Sequence, residues 1–202
     1  MSGARPVVVA WTGASGMIYG LRLVQCLLEA GEEVWLLYSR AAQVVLAMEN
    51  DLELPGQAEA AAEVLRGRWA GAPGRLRVFG REQWSAPVAS GSARARAMVI
   101  CPCTTGTLAA VAAGQSDSLL ERAADVMLKE GRRLILVPRE TPLSVIHLEN
   151  MLRLARAGAV ILPANPGFYH RPAGLEGLAD FIVARILDQL EIAHDLVPRW
   201  GE

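Results

Sequence analysis

The chain has 202 residues, a formal net charge of −1 and 20% charged residues. At roughly 100–200 residues per domain, we expect a single domain over residues 1–202, and the near-zero charge argues against a nucleic-acid partner. Hydrophobic residues make up 52% of the chain, yet no stretch approaches the roughly 18 consecutive apolar residues of a membrane span. We therefore expect no membrane partner, and a homo-oligomer that buries the surplus apolar surface.

The cysteines and histidines argue for a reducing compartment and against a metal site. Three cysteines cannot pair completely, and Cys101 and Cys103 are too close for an ordinary structural disulfide. With Pro102 between them, this pair is interpreted as buried and inert. The apolar run 7–11 is too short for a signal-peptide core, so a cytoplasmic protein is expected. The histidines and cysteines lack metal-ligand spacing, and no metal is expected.

Short apolar runs alternate with segments of helical spacing along the whole chain. The first run, 7–11, ends in a glycine-rich turn, and the helical pattern that follows stops at Gly31. Strands are predicted at 7–11, 33–38, 76–79, 97–101, 133–138 and 159–162. Helices are predicted at 17–30, 40–48, 58–66, 107–113, 118–130, 143–157 and 175–192. This alternation predicts an α/β fold with a parallel sheet and helices on both faces.

In such folds a ligand binds beyond the carboxyl ends of the strands. The turn 12–16 (TGASG) follows the first strand, where glycines let the backbone approach a phosphate and a helix N-terminus offers free N–H groups. The turn is neither a GxGxxG motif nor a P-loop. Ser39 stands where dinucleotide binders usually carry an acidic residue, which favours a mononucleotide over NAD. A tight turn without a ligand is the alternative.

Two more hydroxyl-rich turns, Ser90–Ser92 and Thr104–Thr107, fall in the same region of the predicted fold. Each alone is usually a helix cap. Three such turns at one sheet edge favour a ligand with a phosphate and many polar ring atoms, and flavin mononucleotide (FMN) is such a ligand.

The charged candidates begin with Lys129, the single lysine among 20 lysines and arginines. An arginine-favouring genome explains the arginines but not this lysine, because the two residues are not interchangeable in a tight site. Arg122 lies seven residues earlier on the same helix face. Arg139 and Glu140 follow a strand, and a cation beside a carboxylate can bind phosphate and move a proton.

The remaining candidates each have an ordinary structural alternative. Tyr169 lies in a loop and can donate a hydrogen bond to an anion or pack against a neighbour. Trp84 can wall an apolar pocket or belong to the core, and a surface ion pair is the simpler interpretation of Arg185. Glu49 lies at a helix end, where the helix dipole disfavours an acid.

Several motifs together resemble a known family, the UbiX-type flavin prenyltransferases of the flavin-containing cysteine decarboxylase-like superfamily. The resemblance extends from Val7 to Trp200, and the co-occurrence of the last motifs in this order is highly specific. The matching stretches are TGASGMIYGLRL (12–23), YSRAA (38–42), SGS (90–92), LLERAADVMLKEGRRLILVPRETPL (119–143), GAVILP (158–163) and FYHRP (168–172).

This resemblance implies a Rossmann-like, flavodoxin-type subunit that assembles into a dodecamer built from trimers. It implies metal-independent transfer of a dimethylallyl group from dimethylallyl monophosphate to N5 and C6 of reduced FMN. The product, prenylated FMN, would serve a partner decarboxylase of the UbiD type.

The resemblance also assigns roles by matching position. The expected FMN-binding residues are Gly13, Ala14, Ser15, Ser39, Ser90, Ser92, Thr104, Thr105, Gly106, Thr107 and Arg139, with Ser15 near N5. The allylic phosphate would be bound by Lys129, Arg139, Glu140, Tyr169 and Arg185, some of them from a neighbouring subunit. Glu49, Arg122 and Trp200 would complete the pocket, which Trp84 can help to wall. Ser15, Glu49, Lys129 and Glu140 are the expected catalytic residues.

One departure and three alternatives accompany these expectations. Many family members read C-S-x-K-T or C-S-x-N-T where this chain has Cys103-Thr-Thr-Gly-Thr107, which puts one contact at Gly106 in doubt. A flavin-dependent peptidyl- or pantothenoyl-cysteine decarboxylase would usually need a histidine in the first half, but none precedes His147. A flavin carrier would not need Lys129, Glu140 and Tyr169 together, and Ser39 disfavours an NAD-binding protein.

Overall fold

The computed structural model describes residues 5–199 and 201. Its strands are β1 (Val7–Trp11), β2 (Glu33–Tyr38), β3 (Arg75–Val78), β4 (Ala97–Cys103), β5 (Arg133–Pro138) and β6 (Val160–Ile161). They form one sheet in the order β3-β2-β1-β4-β5-β6, and every neighbouring pair is parallel. Without the edge strand β3 this is the flavodoxin order, and with it the sheet has the Rossmann order. The predicted Rossmann-like α/β class is confirmed.

Within the described residues, seven α-helices cover the two faces of the sheet. They are α1 (Met17–Glu29), α2 (Arg40–Asn50), α3 (Ala58–Arg68), α4 (Thr105–Ala112), α5 (Leu119–Lys129), α6 (Val145–Arg156) and α7 (Leu175–Leu190). Side chains of α1, α2, α3 and α7 pack on one face, and those of α4, α5 and α6 pack on the other. β1 lies in the middle with every residue buried, because its alternate side chains enter opposite cores.

The strand β4 differs from its prediction at the two cysteines. It continues to Cys103, its pairing with β5 shifts register between Ile100 and Cys103, and the Cys101–Pro102 peptide bond is cis. Cys101 packs in one core and Cys103 in the other. Burial raises the pKa of both thiols, that of Cys103 to about 12. The interpretation of these cysteines as buried is confirmed, and the raised pKa of each thiol fits the interpretation of the pair as inert.

Helix boundaries move where a side chain caps the first turn. The α4 helix begins at Thr105, two residues earlier than predicted, because the Thr104 hydroxyl accepts a hydrogen bond from the Thr107 N–H. The α6 helix begins two residues later than predicted, at Val145, because Ser144 is its cap. In the part of the chain that the structure describes, no helix is long and apolar enough to cross a membrane.

Candidate active site at the carboxyl end of the sheet

Thr12 joins the ends of the two central strands. Its hydroxyl donates to the Pro102 carbonyl (2.7 Å) and accepts from the Thr104 N–H (2.8 Å). The side chain is 1% exposed and is the only buried polar one among residues 5–199 and 201. These bonds fix the loop 12–16 beside the turn 104–107. The crevice between them is the point where the strand order reverses, which is where ligands bind in doubly wound sheets.

The loop after β1 also touches the start of α2. A Cβ added at Gly13 would overlap the Cβ of Ala41, so this close approach requires glycine. Ser39 caps α2 by accepting a hydrogen bond from the Ala42 N–H (3.1 Å). The structure therefore brings the predicted FMN-binding loop 12–16 together with Ser39.

Glu49 occupies the N-terminus of α1. Its carboxylate accepts hydrogen bonds from the N–H groups of Gly16 (2.9 Å) and Met17 (3.0 Å). The prediction that the N-terminus of α1 offers free N–H groups to a phosphate is therefore wrong for Gly16 and Met17, because these two N–H groups already bind a carboxylate. The N–H groups of residues 13–15 make no hydrogen bond within the described part of the chain. Only they remain available to an anion in this loop.

The charge of Glu49 is stabilised by the groups around it. Desolvation raises the pKa of this carboxyl, but the Ser15 hydroxyl, the N–H groups of Met17 and Gly16 and the charge of Arg139 outweigh it. The net effect is a pKa below the ordinary value. Glu49 is thus ionised at neutral pH, which suits a carboxylate at the positive end of a helix dipole.

We predict that Glu49→Gln destabilises the protein at neutral pH by about 0.5 kcal/mol, the typical value for an exposed charge at a helix end. Because the folded-state pKa is lowered, this contribution is present above the unfolded-state pKa and is lost as pH falls through the folded-state pKa. Thermal unfolding of both proteins between pH 3 and 8 is the measurement. A difference in Tm that persists unchanged at the acid end would contradict this role.

Arg139 connects the end of β5 to the same loop. Its Nε donates to the Ser15 carbonyl (3.1 Å). Glu140 follows it, and its carboxylate accepts a hydrogen bond from the Thr141 N–H (3.1 Å). Ser15, Glu49 and Arg139 therefore form one cluster, with the Glu140 carboxyl one residue away in sequence. The expected grouping of a cation and a carboxylate at this strand end is present.

The turn after β4 contributes further hydroxyl groups to the crevice. The hydroxyls of Thr104 and Thr107 are 2.9 Å apart, and Thr105 and Gly106 form the first turn of α4. Ser39 and Thr107 line a common cavity of about 300 Å³. A Cβ added at Gly106 would meet no atom closer than the Thr104 hydroxyl, at 4.0 Å. The missing side chain at Gly106, where the chain departs from the family pattern, thus leaves open space.

We predict that Gly106→Ala raises stability by roughly 0.5 kcal/mol, because alanine loses less conformational entropy in a helix and meets no obstruction here. Flavin affinity should stay within about twofold of the original. Urea unfolding and a flavin titration measure the two effects. A large loss of flavin affinity would instead show that the bare Gly106 backbone approaches the ligand closely.

A second cluster lies where α5 meets the loop before β4. Arg122 donates from Nε to the Ala89 carbonyl (3.0 Å) and pairs with Asp125 (2.7 Å). The Lys129 ammonium pairs with Glu130. The hydroxyls of Ser90 and Ser92 are 2.9 Å apart. The structure therefore brings four predicted site residues together: Ser90, Ser92, Arg122 and Lys129.

The remaining predicted residues lie elsewhere. Tyr169 makes an edge contact with Phe181 of α7, with ring centroids 5.9 Å apart. Arg185, also on α7, forms an ion pair with Asp188 (2.8 Å), whose other oxygen contacts His194 (3.1 Å). Trp84 is 48% exposed in the loop after β3, so the core alternative for it is wrong. Trp200 lies outside the described residues.

Three residues organise these clusters, and the sequence interpretation had named only one of them, Thr12, as part of the turn 12–16. They are Thr12, Glu130 and Arg132, and Arg132 donates to the carbonyls of Gly91 (2.6 Å) and Ala93. Glu130 could have been identified from the sequence, because an acidic residue at a predicted helix C-terminus is unfavourable with the helix dipole. Thr12 and Arg132 act through backbone carbonyls distant in sequence, which a sequence pattern does not reveal. Within the described ranges no group of three or more His, Cys, Asp or Glu residues could hold a metal ion.

A parallel sheet with hydroxyl-rich turns at the point where the strand order reverses, and with a cation and a carboxylate beside them, defines a doubly wound α/β protein with a candidate ligand-binding crevice at that point. The flavoprotein family model matches residues 1–188. The chain is 57% identical over its whole length to the flavin prenyltransferase UbiX of Pseudomonas aeruginosa, covering 97% of that protein. It is 46% identical to the flavin prenyltransferase UbiX of Methanothermobacter thermautotrophicus, with 96% of this chain and 94% of the relative covered. The chain belongs to the flavoprotein family, as a flavin prenyltransferase of the UbiX type.

Solved structures agree with this assignment. The structure of AnUbiX (PadA1) in complex with FMN and dimethylallyl pyrophosphate has a TM-score of 0.88 and 41% identity, with 98% of each chain covered. A dodecameric FMN-dependent UbiX-like decarboxylase from Escherichia coli O157:H7 has a TM-score of 0.85 and 38% identity, covering 98% of this chain and all of that one. A PPC decarboxylase at 18% identity and a TM-score of 0.62 shares the fold alone.

Proposed function

We propose that this protein transfers a dimethylallyl group from dimethylallyl monophosphate to N5 and C6 of reduced FMN, and that the prenylated FMN passes to a UbiD-type decarboxylase. The relatives named flavin prenyltransferase and the solved relative with FMN and dimethylallyl pyrophosphate support this activity. The observation that carries it is the bond from Arg139 to the Ser15 carbonyl. That bond places the Arg139–Glu140 pair beside the predicted flavin loop.

The residues of the crevice fit FMN. The N–H groups of residues 13–15 are available, and Ser39 and Thr107 line one cavity. The predicted FMN-binding set, which also includes Ala14, Ser15, Ser90, Ser92, Thr104, Thr105, Gly106 and Arg139, is retained. When bound, reduced FMN supplies the nucleophilic nitrogen that accepts the prenyl group.

The cationic side chains have a defined task in this reaction. An allylic monophosphate is a poor leaving group, and without a metal ion the protein must stabilise the charge that develops on the phosphate. Lys129, Arg122, Arg139 and Arg185 are the side chains proposed for this, and Tyr169 adds a hydrogen bond. Glu140, as the proposed acid–base group, transfers a proton to or from the reacting atoms. Ser15 and Glu49 orient the reacting centre, and aromatic rings such as Trp84 and Trp200 stabilise allylic cation character.

A homo-oligomer completes this proposal. The helix α6 exposes a row of apolar side chains, with Val145 at 69% and Ile146 at 67% exposure and Leu148 and Leu152 beside them. Such a surface favours burial against another subunit, and a UbiX-like relative is dodecameric. Because Arg185 pairs within α7 instead of joining the other cationic clusters, we propose that a neighbouring subunit supplies it. We place this one-domain protein, residues 1–202, in the cytoplasm, where its buried thiols stay reduced.

The histidines favour transfer over cysteine decarboxylation. His147 accepts a hydrogen bond from the Ser144 N–H within a helix cap, His170 stacks on Phe181, and His194 contacts Asp188. Each of the three thus has a structural contact, and none precedes residue 147.

The test is anaerobic incubation of the protein with reduced FMN and dimethylallyl monophosphate, followed by mass spectrometry of the released flavin. We expect a mass gain of one five-carbon prenyl unit. A parallel reaction with dimethylallyl pyrophosphate establishes which donor is used. FMN that is bound but unmodified with both donors would contradict the proposal and favour a flavin carrier.

A further inference from the structure

An acidic residue ends the helix that carries the single lysine. Glu130 is the C-terminal cap of α5 and directly follows Lys129. A carboxylate at this end opposes the helix dipole, so it does not stabilise the helix as a lysine or arginine would. The presence of Glu130 therefore calls for an explanation outside the helix itself.

The contacts of Glu130 are with two cations. Its Oε1 is 2.5 Å from the Lys129 ammonium, and its Oε2 is 3.8 Å from the Arg132 guanidinium. Consecutive residues in a regular helix do not face each other, but the helix ends at Glu130, where the backbone departs from regular geometry. The hydrogen bond and the charge of Lys129 lower the pKa of the Glu130 carboxyl. The group is ionised at neutral pH.

This ion pair lies directly on the predicted phosphate- and flavin-binding turn. A Cβ added at Gly91 would overlap Oε1 of Glu130 and would lie 2.9 Å from Nζ of Lys129. Glycine at position 91 thus leaves space for the pair between Ser90 and Ser92. Arg132 fixes the same turn from the other side, since it donates to the carbonyls of Gly91 and Ala93.

We propose that Glu130 is a positioning residue, which holds the Lys129 ammonium at the Ser90–Gly91–Ser92 turn so that the ammonium is in place for the phosphate of the allylic donor. This inference rests on the proposed function of Lys129. A lysine side chain has many rotamers, and a partner that restricts them before binding lowers the entropic cost of the phosphate contact. Glu130 acts only through Lys129 and does not touch the donor.

An alternative role for Glu130, neutralising the charge of Lys129, predicts the opposite change in donor binding. If Glu130 only neutralised the lysine, its removal would free positive charge and tighten phosphate binding. The variant Glu130→Gln keeps the size of the side chain and removes its charge. We expect the KM for dimethylallyl monophosphate to rise about tenfold, with kcat changed less than threefold. FMN affinity and Tm should match those of Glu63→Gln, a control at an exposed position of α3.

A double-mutant cycle separates positioning from a structural role. The affinity of dimethylallyl monophosphate for the protein loaded with oxidised, unreactive FMN is measured by calorimetry, with Lys129→Met, Glu130→Gln and both changes together. We expect Glu130→Gln to weaken binding about tenfold alone and to have no further effect beside Lys129→Met. Glu130→Asp, with a shorter reach, should recover part of the affinity.

Three outcomes would overturn the inference: unchanged or tighter donor binding in Glu130→Gln, an equal loss in the Lys129→Met background, or no recovery in Glu130→Asp. If Glu130→Gln unfolds, the same cycle is run with Glu130→Asp. A protein that binds the donor but forms no prenylated FMN would refute the proposed function, and the binding cycle would still decide the role of Glu130.

Discussion

Glu140→Gln is expected to slow prenyl transfer by about 10²- to 10⁴-fold, the usual range for loss of a general acid–base group. The amide has nearly the size of the carboxylate and can still accept a hydrogen bond from the Thr141 N–H, so the local backbone should be preserved. It cannot transfer a proton to or from the reacting atoms. Single-turnover formation of prenylated FMN, followed by mass spectrometry, measures the effect.

The control for this experiment is Glu53→Gln, an exposed carboxylate in the loop after α2. Both variants should bind FMN and unfold at the temperature of the original protein, and only Glu140→Gln should lose rate. The pH profile gives a second readout, because an acid–base group produces a limb in the rate profile that the amide removes. A Glu140→Gln enzyme with full rate and an unaltered profile would exclude Glu140 as the proton-transfer group.

Replacing Lys129 is the second large expected effect. Lys129→Met keeps the apolar stem and removes the charge, and we expect transfer to slow by about 10²- to 10³-fold, as for loss of one preorganised electrostatic contact. Lys129→Arg keeps the charge, but the planar guanidinium is wider than an ammonium. The Lys129 ammonium lies close to the Gly91 backbone, since even a Cβ added at Gly91 would be only 2.9 Å from Nζ. A wider guanidinium does not fit this space, so we expect Lys129→Arg to remain at least tenfold slower than the original protein.

Steady-state rates across donor concentrations measure both lysine variants, with Arg68→Met on the exposed side of α3 as a control for loss of one cation. The other 19 lysines and arginines of the chain are all arginines. Full activity of Lys129→Arg would therefore show that arginine serves equally well at position 129 and that the site does not require a lysine. The assignment of Lys129 to the allylic phosphate would then be withdrawn.

The two lysine variants and the Glu130 cycle examine the same cluster from different sides. Lys129→Met tests whether the positive charge is needed. Lys129→Arg tests whether the compact ammonium is needed, and Glu130→Gln tests whether the position of the ammonium matters. The expected order of effect follows the physics: losing a charge costs more than misplacing it.

The sequence by itself determined the fold class and the edge of the sheet at which the candidate site residues lie. β-Branched and aliphatic runs such as Val7–Trp11 and Arg133–Pro138 were long enough, and apolar enough, to specify buried parallel strands, and both are observed with the predicted bounds. Once the strands are parallel, their carboxyl ends meet at one edge. The positions of Ser39, Arg139 and the turn 12–16 at that edge therefore followed from chain order alone.

Only the tertiary structure decided which side chains meet within that edge. It placed the Glu49 carboxylate on the N–H groups at the start of α1, 33 residues away in sequence for Gly16, so these N–H groups are not free for a phosphate as predicted. It separated Cys101 and Cys103 into opposite cores. It also revealed Thr12, Glu130 and Arg132 as organising residues. The physical reason is that hydrogen bonds and ion pairs depend on distances between elements, whereas hydrophobic periodicity reports only the environment of each element.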